Sequence, residues 1–185
     1  MMKIPLFPLP VFLLPDGITR LRIFEQRYLK MVRIASKENG FAILLHDASE
    51  NLPDVRWASW VDIINFAQGS DGTLIIDVKC KSLVAVNTIE VDSDNLSHAD
   101  VNSISHWPVT EHDNVTAALS LSLTKVFKQN KELGELYQGN INHDANWVIA
   151  RWLELLPVEL CIKDNLTLGS SFEQAKQLIQ SIIMP

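Results

Sequence analysis

Ile4-Pro-Leu-Phe-Pro-Leu-Pro-Val-Phe-Leu-Leu-Pro-Asp-Gly17, running into Ile18-Thr-Arg-Leu-Arg-Ile-Phe-Glu-Gln-Arg-Tyr28, is the stretch from which the rest of the chain is read. Prolines at 5, 8, 10 and 15 rule out a helix, because each lacks an N–H and its ring clashes with the preceding turn. The same missing donors restrict ladder pairing, so a strand here is expected to be short or to lie at an edge. Pro15-Asp16-Gly17 reads as a turn, with proline presetting its own φ and glycine expected to supply a positive one. Beyond it, Leu21 and Ile23 alternate with Arg20 and Arg22, the pattern of a strand with one apolar and one charged face.

Outward from this opening, Tyr28, Met31, Val32 and Ala35 have the three-four spacing of a helix packed on one face, over Glu25 to Lys37. Asn39-Gly40 is expected to end it. Phe41 to Leu45 is a continuous apolar run and reads as a buried strand, followed by a polar loop from His46 to Val55. Trp57 to Phe66 and Thr73 to Val78 flank Gly69-Ser-Asp-Gly72 and predict a hairpin. Leu83 to Ile89 predicts another strand, and a polar connection from Asp92 to Asp100 leads to a last one near Val101 to Trp107. Six or more short strands with one early helix point to a small closed or nearly closed sheet.

The pattern changes after Pro108. Val115, Ala118, Leu119, Ser122, Leu123, Val126 and Phe127 follow helical spacing, as do Trp147, Ala150, Leu153 and Leu156 between Asp144, expected as a cap, and Pro157. Ser170-Ser-Phe-Glu173 has the form of a capping box before Phe172, Ala175, Leu178, Ile179 and Ile182. This part reads as a helical bundle.

Composition narrows the function. The 185 residues suffice for a domain with a small subdomain, and 47% hydrophobic content is that of a globular chain. A net charge of −6 argues against general nucleic-acid binding, which needs a basic surface. Arg20, Arg22, Arg27, Lys30 and Arg33 form a local basic set, read as a solvated strand and helix face. Cys80 and Cys161 lie far apart in apolar runs without metal-ligand spacing, which favours a reducing compartment. With no leader pattern and no apolar run of about 18 residues, a cytoplasmic protein with no membrane partner is expected.

The order Pro-Leu-Phe-Pro-Leu-Pro (5–10), Leu-Pro-Asp-Gly (14–17) and Leu-Arg-Ile-Phe-Glu-Gln-Arg-Tyr (21–28) resembles the opening of the Lon N-terminal (LON substrate-binding) domain, with its segment PLFPLPxxxxPG…LxIFExRY. Trp152-Leu-Glu-Leu-Leu-Pro-Val-Glu-Leu160 is similar to the family's LAELLPLPL. The resemblance implies an α+β fold: a PUA-like β pseudobarrel with an inserted helix, over residues 1–109, then a C-terminal α-helical bundle over 110–185. Two places depart from the family pattern and bear on local turn geometry: Ala58 stands where glycine is usual, and Cys80-Lys-Ser-Leu-Val replaces a glycine followed shortly by Arg-Phe.

Full-length ATP-dependent Lon proteases (peptidase S16) add an ATPase and a serine–lysine protease. Neither signature is present, and glycines at 17, 40, 69, 72, 134, 139 and 169 make no phosphate-binding loop. The resemblance therefore implies a non-catalytic module that binds unfolded or exposed apolar polypeptide segments, with no enzyme activity, cofactor or metal. Phe12, Leu14, Trp57, Trp60 and Trp107 are expected at the peptide contact, with the apolar surface sought between barrel and bundle or at a sheet edge. The alternative is an adaptor or regulatory partner of a separate ATP-dependent protease. Two remoter readings are an uncharacterised hydrolase using His46-Asp47 or the set His106, His112 and Asp113, and an RNA-binding PUA-like protein. Weak homo-oligomerisation is compatible with all of these. Glu25 and Arg27 are read as a structural ion pair or cap.

Overall fold

The proline-rich opening forms one eight-residue strand, β1 (Met2–Leu9), in the computed structural model, which describes residues 1–48 and 56–185. Most of the loop expected between His46 and Val55 lies outside the described residues. β1 is longer and more central than its prolines suggest, for a geometric reason. Its first half pairs antiparallel with β6 (Ser97–Ser103), from Met2↔Val101 to Leu6↔Ser97. Its second half pairs in parallel with β3 (Phe41–Leu45), from Leu6↔Ala42 to Leu9↔Leu45. Pro5 and Pro8 each stand where only one neighbour is paired, so neither missing N–H breaks a two-sided ladder.

The turn at 14–17 closes by Gly17 N donating to Leu14 O at 2.9 Å. The positive φ falls on Asp16, at 66°, rather than on the glycine. In a turn closed this way, with proline second, the third residue takes that angle, and aspartate tolerates it better than most side chains. β2 (Ile18–Ile23) then pairs with β5 (Leu74–Val91), and α1 (Gln26–Ala35) buries Tyr28, Met31, Val32 and Ala35. Phe7 stacks on Tyr28 with centroids 3.9 Å apart, which ties α1 to β1. Gly40 follows the helix at φ +70°, and a Cβ there would lie 2.0 Å from Val61 O. Its glycine is needed for the close approach to β4 (Trp57–Gln68) as well as for the angle.

β4 (Trp57–Gln68) and β5 (Leu74–Val91) form the expected hairpin, but β5 is one strand of 18 residues rather than two. Trp60 faces Ser82 and Val61 faces Cys80, so Lys81 is an extra residue accommodated as a bulge. The departures from the family pattern at Ala58 and at Cys80 to Val84 thus lie inside strands. β6 begins earlier than its apolar content indicates, burying Ala99 and Val101 between polar neighbours.

The sheet order is β2-β5-β4-β3-β1-β6, and β5 also pairs with β6 from Val84↔Ser103 to Val91↔Ser97. This last pairing closes the sheet into a pseudobarrel. Ile4, Leu6, Ala42, Ala58, Val84, Ala99 and Val101 form its core cluster, and the three alanines keep the facing strands close.

The chain divides into two compact units, Met1–Ile104 and Ser105–Pro185. The second contains α2 (Asn114–Gln129), α3 (Lys131–Leu136), α4 (Ala145–Leu155), α5 (Leu160–Asn165) and α6 (Phe172–Ile183). α2 carries a capping box: the Asp113 carboxylate accepts from Thr116 N at 2.8 Å, and Thr116 Oγ1 accepts from Asp113 N. The box expected before α6 is absent. Ser171 is its N-cap without a capping hydrogen bond, and Glu173 instead meets Lys176 Nζ at 2.9 Å. Asp144 holds the N-cap position of α4, but its carboxylate accepts from Asn142. Lys176 also meets Asp113 at 2.6 Å, joining α6 to the start of α2. α4 is buried almost all round, with Trp152 Nε1 donating to Leu119 O at 3.0 Å.

Candidate functional site

Of the five residues expected at a peptide contact, the structure places four in the interior. Leu14 is fully buried, and Phe12 and Trp57 meet edge to face at 6.0 Å. Trp107 is buried in the helical unit, where its Nε1 donates to Leu166 O at 2.9 Å and to Ser171 Oγ at 3.1 Å. Only Trp60 keeps a partly open ring, covered on one side by Lys81 Nζ at 3.8 Å from the centroid. Large aromatics gain most from burial, so tryptophan in a sequence marks a packing site more often than a surface.

Trp60 nevertheless lies on a strand with an open apolar edge. Ala58 to Val61 of β4 pair with β3 on one side, and the strand pairs with β5 on the other. Beyond Val61, only β5 accompanies β4. Among the described residues, Asp62 to Gln68 therefore form a free edge, with a row of unpaired main-chain donors and acceptors. Natural edges are usually guarded by lysine, proline or inward charges. This one has a single charged residue, Asp62, paired with Lys81 at 2.9 Å, and a bulge at Ile64. The bulge gives the edge two segments, and the outer one, Asn65 to Gln68, carries no charge.

Two large apolar side chains stand out from it, Ile64 at 45% and Phe66 at 54% exposure. Phe66 faces Ile76, which faces Leu21, so the three form one row across β4, β5 and β2. Ile76 and Leu21 are buried, and Phe66 is the open end of a core row. On the opposite face Arg20 donates to both Asp77 carboxylate oxygens, at 2.7 and 3.0 Å, and Asn65 Nδ2 reaches Asp77 at 3.2 Å. The Arg20 guanidinium holds the Asp77 carboxyl below the usual carboxylate range. This clamp fixes the three strands beneath the edge. Its groups are committed to one another.

The other candidates are structural in their surroundings. His46 is exposed, with its amide on Leu9 O. His106 Nδ1 donates to Thr167 O at 2.7 Å, and burial pushes its pKa down to about 4. His112 contacts Thr116 Oγ1 at 3.0 Å and His143 O. Among the described residues no group of three His, Cys, Asp or Glu side chains gathers as a metal site. Glu25 and Arg27 form the ion pair, at 2.9 Å, without the cap. Arg20, Arg22 and Lys30 are likewise neutralised, by Asp77, by Asp71, and by Asp92 and Asp94. Cys80 and Cys161 are not joined in a disulfide. No helix among the described residues is long and apolar enough to cross a membrane.

The family model of the ATP-dependent protease La (LON) substrate-binding domain matches residues 3–159. The chain belongs to that family. A LON substrate-binding domain is a non-catalytic domain, and the match runs from β1 to the residue before α5. A search of curated proteins returns no match. Among solved structures, a Lon N-terminal domain protein from Xanthomonas campestris is similar over 98% of both chains, with 24% identity and a TM-score of 0.71. The N-terminal domain of a Mycobacterium avium complex Lon protease is similar over 97% of both chains, with 10% identity and a TM-score of 0.64. Both share the fold of this LON domain from end to end.

Proposed function

We propose that this LON domain binds unfolded, apolar polypeptide segments in extended form along the Asp62–Gln68 edge of β4. The supporting observation is the coincidence of a main-chain edge that pairs on one side only, among the described residues, with Phe66 and Ile64 exposed upon it. A strand added there gains backbone hydrogen bonds that ignore sequence, while alternate side chains meet the apolar pair. Folded proteins have already paired their backbones, so the same device distinguishes unfolded from native chains.

The test is a titration of the LON domain with a reduced, carboxymethylated protein and with its native, disulfide-bonded form. Saturable binding of the first and none of the second is expected. Equal binding of both, or of neither, rejects the reading. Delivery of bound clients to a separate ATP-dependent protease is the adaptor extension of the same function, and co-purification of such a protease from the cell extract would support it. Self-pairing of two β4 edges is the competing use, visible as a concentration-dependent dimer that unfolded polypeptide fails to dissociate.

A further inference from the structure

The helical unit has a cavity of its own, of about 150 Å³, unconnected with the strand-edge reading. Leu123 and Phe127 of α2, Trp147 of α4 and Ile141 of the connecting segment give it an apolar lining. Gly134 of α3 also lines it, and a Cβ there would lie 2.7 Å from Phe127 O, so only glycine lets α3 come this close to α2. An engineered apolar cavity of about 150 Å³ in another protein holds one benzene ring. The space here is therefore that of a single ring.

Its polar lining is selective. Ser120, Thr124 and Lys128 follow one another at four-residue spacing on α2, and His143 adjoins them, with its Nδ1 3.2 Å from Ser120 Oγ. Thr124 Oγ1 already donates to Ser120 O at 2.9 Å, so Lys128 and the Ser120–His143 pair supply the donors left for a ligand, and none of the four side chains is a carboxylate. In a chain of net charge −6 this is a locally cationic, donor-rich rim. Among the described residues no carboxylate pairs with Lys128. Trp147 adds an indole N–H that is shut from solvent and without an acceptor among the described residues. The Ser120–His143 contact is not read as a catalytic pair. Ser120 sits inside α2, where the surrounding amides are engaged in the helix and leave no oxyanion site.

We propose that this cavity binds a ring-sized apolar group bearing a carboxylate, with the ring against Phe127 and Trp147 and the carboxylate at Lys128. Two sources have that chemistry: a free aromatic acid, and the C-terminal apolar residue of a polypeptide. The experiment uses the whole chain, with 3-phenylpropionate against 3-phenylpropanamide and N-acetyl-Gly-Gly-Phe against its amide. Binding is followed by calorimetry and by the NMR signal of the Trp147 indole N–H. One acid should bind per chain, at least tenfold more tightly than the amide, and should shift the indole signal saturably. Lys128→Gln, a surface change, should abolish the preference for acid over amide. Ile141→Trp should weaken the acid tenfold or more by filling the cavity. Binding of the peptide acid assigns the site to polypeptide C-termini, and its refusal alongside the free acid assigns it to small acids. Absence of a saturable shift, equal affinity for acid and amide, or binding unchanged in Lys128→Gln overturns the proposal.

Discussion

Phe66→Ser is the sharpest perturbation of the proposed polypeptide edge. Phe66 is 54% exposed. A phenylalanine carries about 200 Å² of surface, so roughly 100 Å² remains to be covered by a bound strand. At about 25 cal/mol/Å² that area contributes up to ~2.5 kcal/mol, or about 70-fold in affinity. A strand that covers half of it contributes ~1.2 kcal/mol, roughly eightfold. Unfolded polypeptide should therefore bind Phe66→Ser about 8- to 70-fold more weakly. The fold should be less affected, because the Arg20–Asp77–Asn65 clamp on the opposite face remains. Fluorescence anisotropy of a labelled, carboxymethylated client measures the affinity, and circular dichroism confirms the fold. Leu121→Ser is the control, since Leu121 is 70% exposed on α2 in the other unit. Wild-type affinity in Phe66→Ser, or an equal loss in Leu121→Ser, would refute the strand-edge reasoning.

Gly40→Ala should cost about 3 kcal/mol or more, combining a left-handed φ with a Cβ driven into Val61 O. Gly72→Ala, with φ +83° and open space around it, should cost only about 1 kcal/mol. Denaturant unfolding of the pair isolates the contact, and equal losses would contradict it. Glu154→Gln should destabilise by about 1.5–3 kcal/mol, because it weakens a two-point, charge-assisted contact to the buried Arg151. Arg151 is 1% exposed and donates to both Glu154 oxygens, at 2.9 and 2.7 Å. A thermal midpoint lowered by less than about 3 °C would count against that buried pair. Stability should also fall with acid through His106, whose folded pKa of about 4 lies below its ordinary 6.5. The unfolded chain takes up this proton first, so the contribution is complete above pH 6.5 and is lost as pH falls to 4. At pH 5 the loss is roughly 2 kcal/mol. His106→Gln should flatten that part of the urea-stability profile, and an unchanged slope would assign it elsewhere.

Local features were legible wherever the physics is local. The spacing of Tyr28, Met31, Val32 and Ala35 sufficed for α1, because burial of one helical face repeats every three to four residues. The glycines at 69 and 72 located the β4–β5 turn. Helices α3 and α5 left too little trace: each has six residues, less than two turns, and shows no periodicity. The capping box at Asp113 was missed because its partner is Thr116, whose hydroxyl replaces the usual carboxylate. Lys81 made β5 look like two strands, since a bulge expels one polar residue without ending the ladder.

The peptide-contact residues show where such reading stops. Phe12, Leu14, Trp57 and Trp107 were conspicuous as apolar residues near turns and junctions, and the structure buries each of them. Phe66 was legible as a strand residue, but nothing around it in sequence reports that β3 stops pairing with β4 at Val61. Period-two alternation tells which face a side chain takes and is silent about which edge finds a partner.

By itself, the sequence determined helices α1, α2, α4 and α6, the β4–β5 hairpin, the turn at 14–17 and, through its proline-rich opening, the family. Those depend on residues within a few positions of one another, or on motif order. Tertiary structure alone decided that β5 meets β6 and closes the barrel, that the alanines fill it, and that, among the described residues, Asp62 to Gln68 pair on one side only. Strand edges are satisfied by hydrogen bonds between segments far apart in sequence, and those bonds follow from how the chain packs.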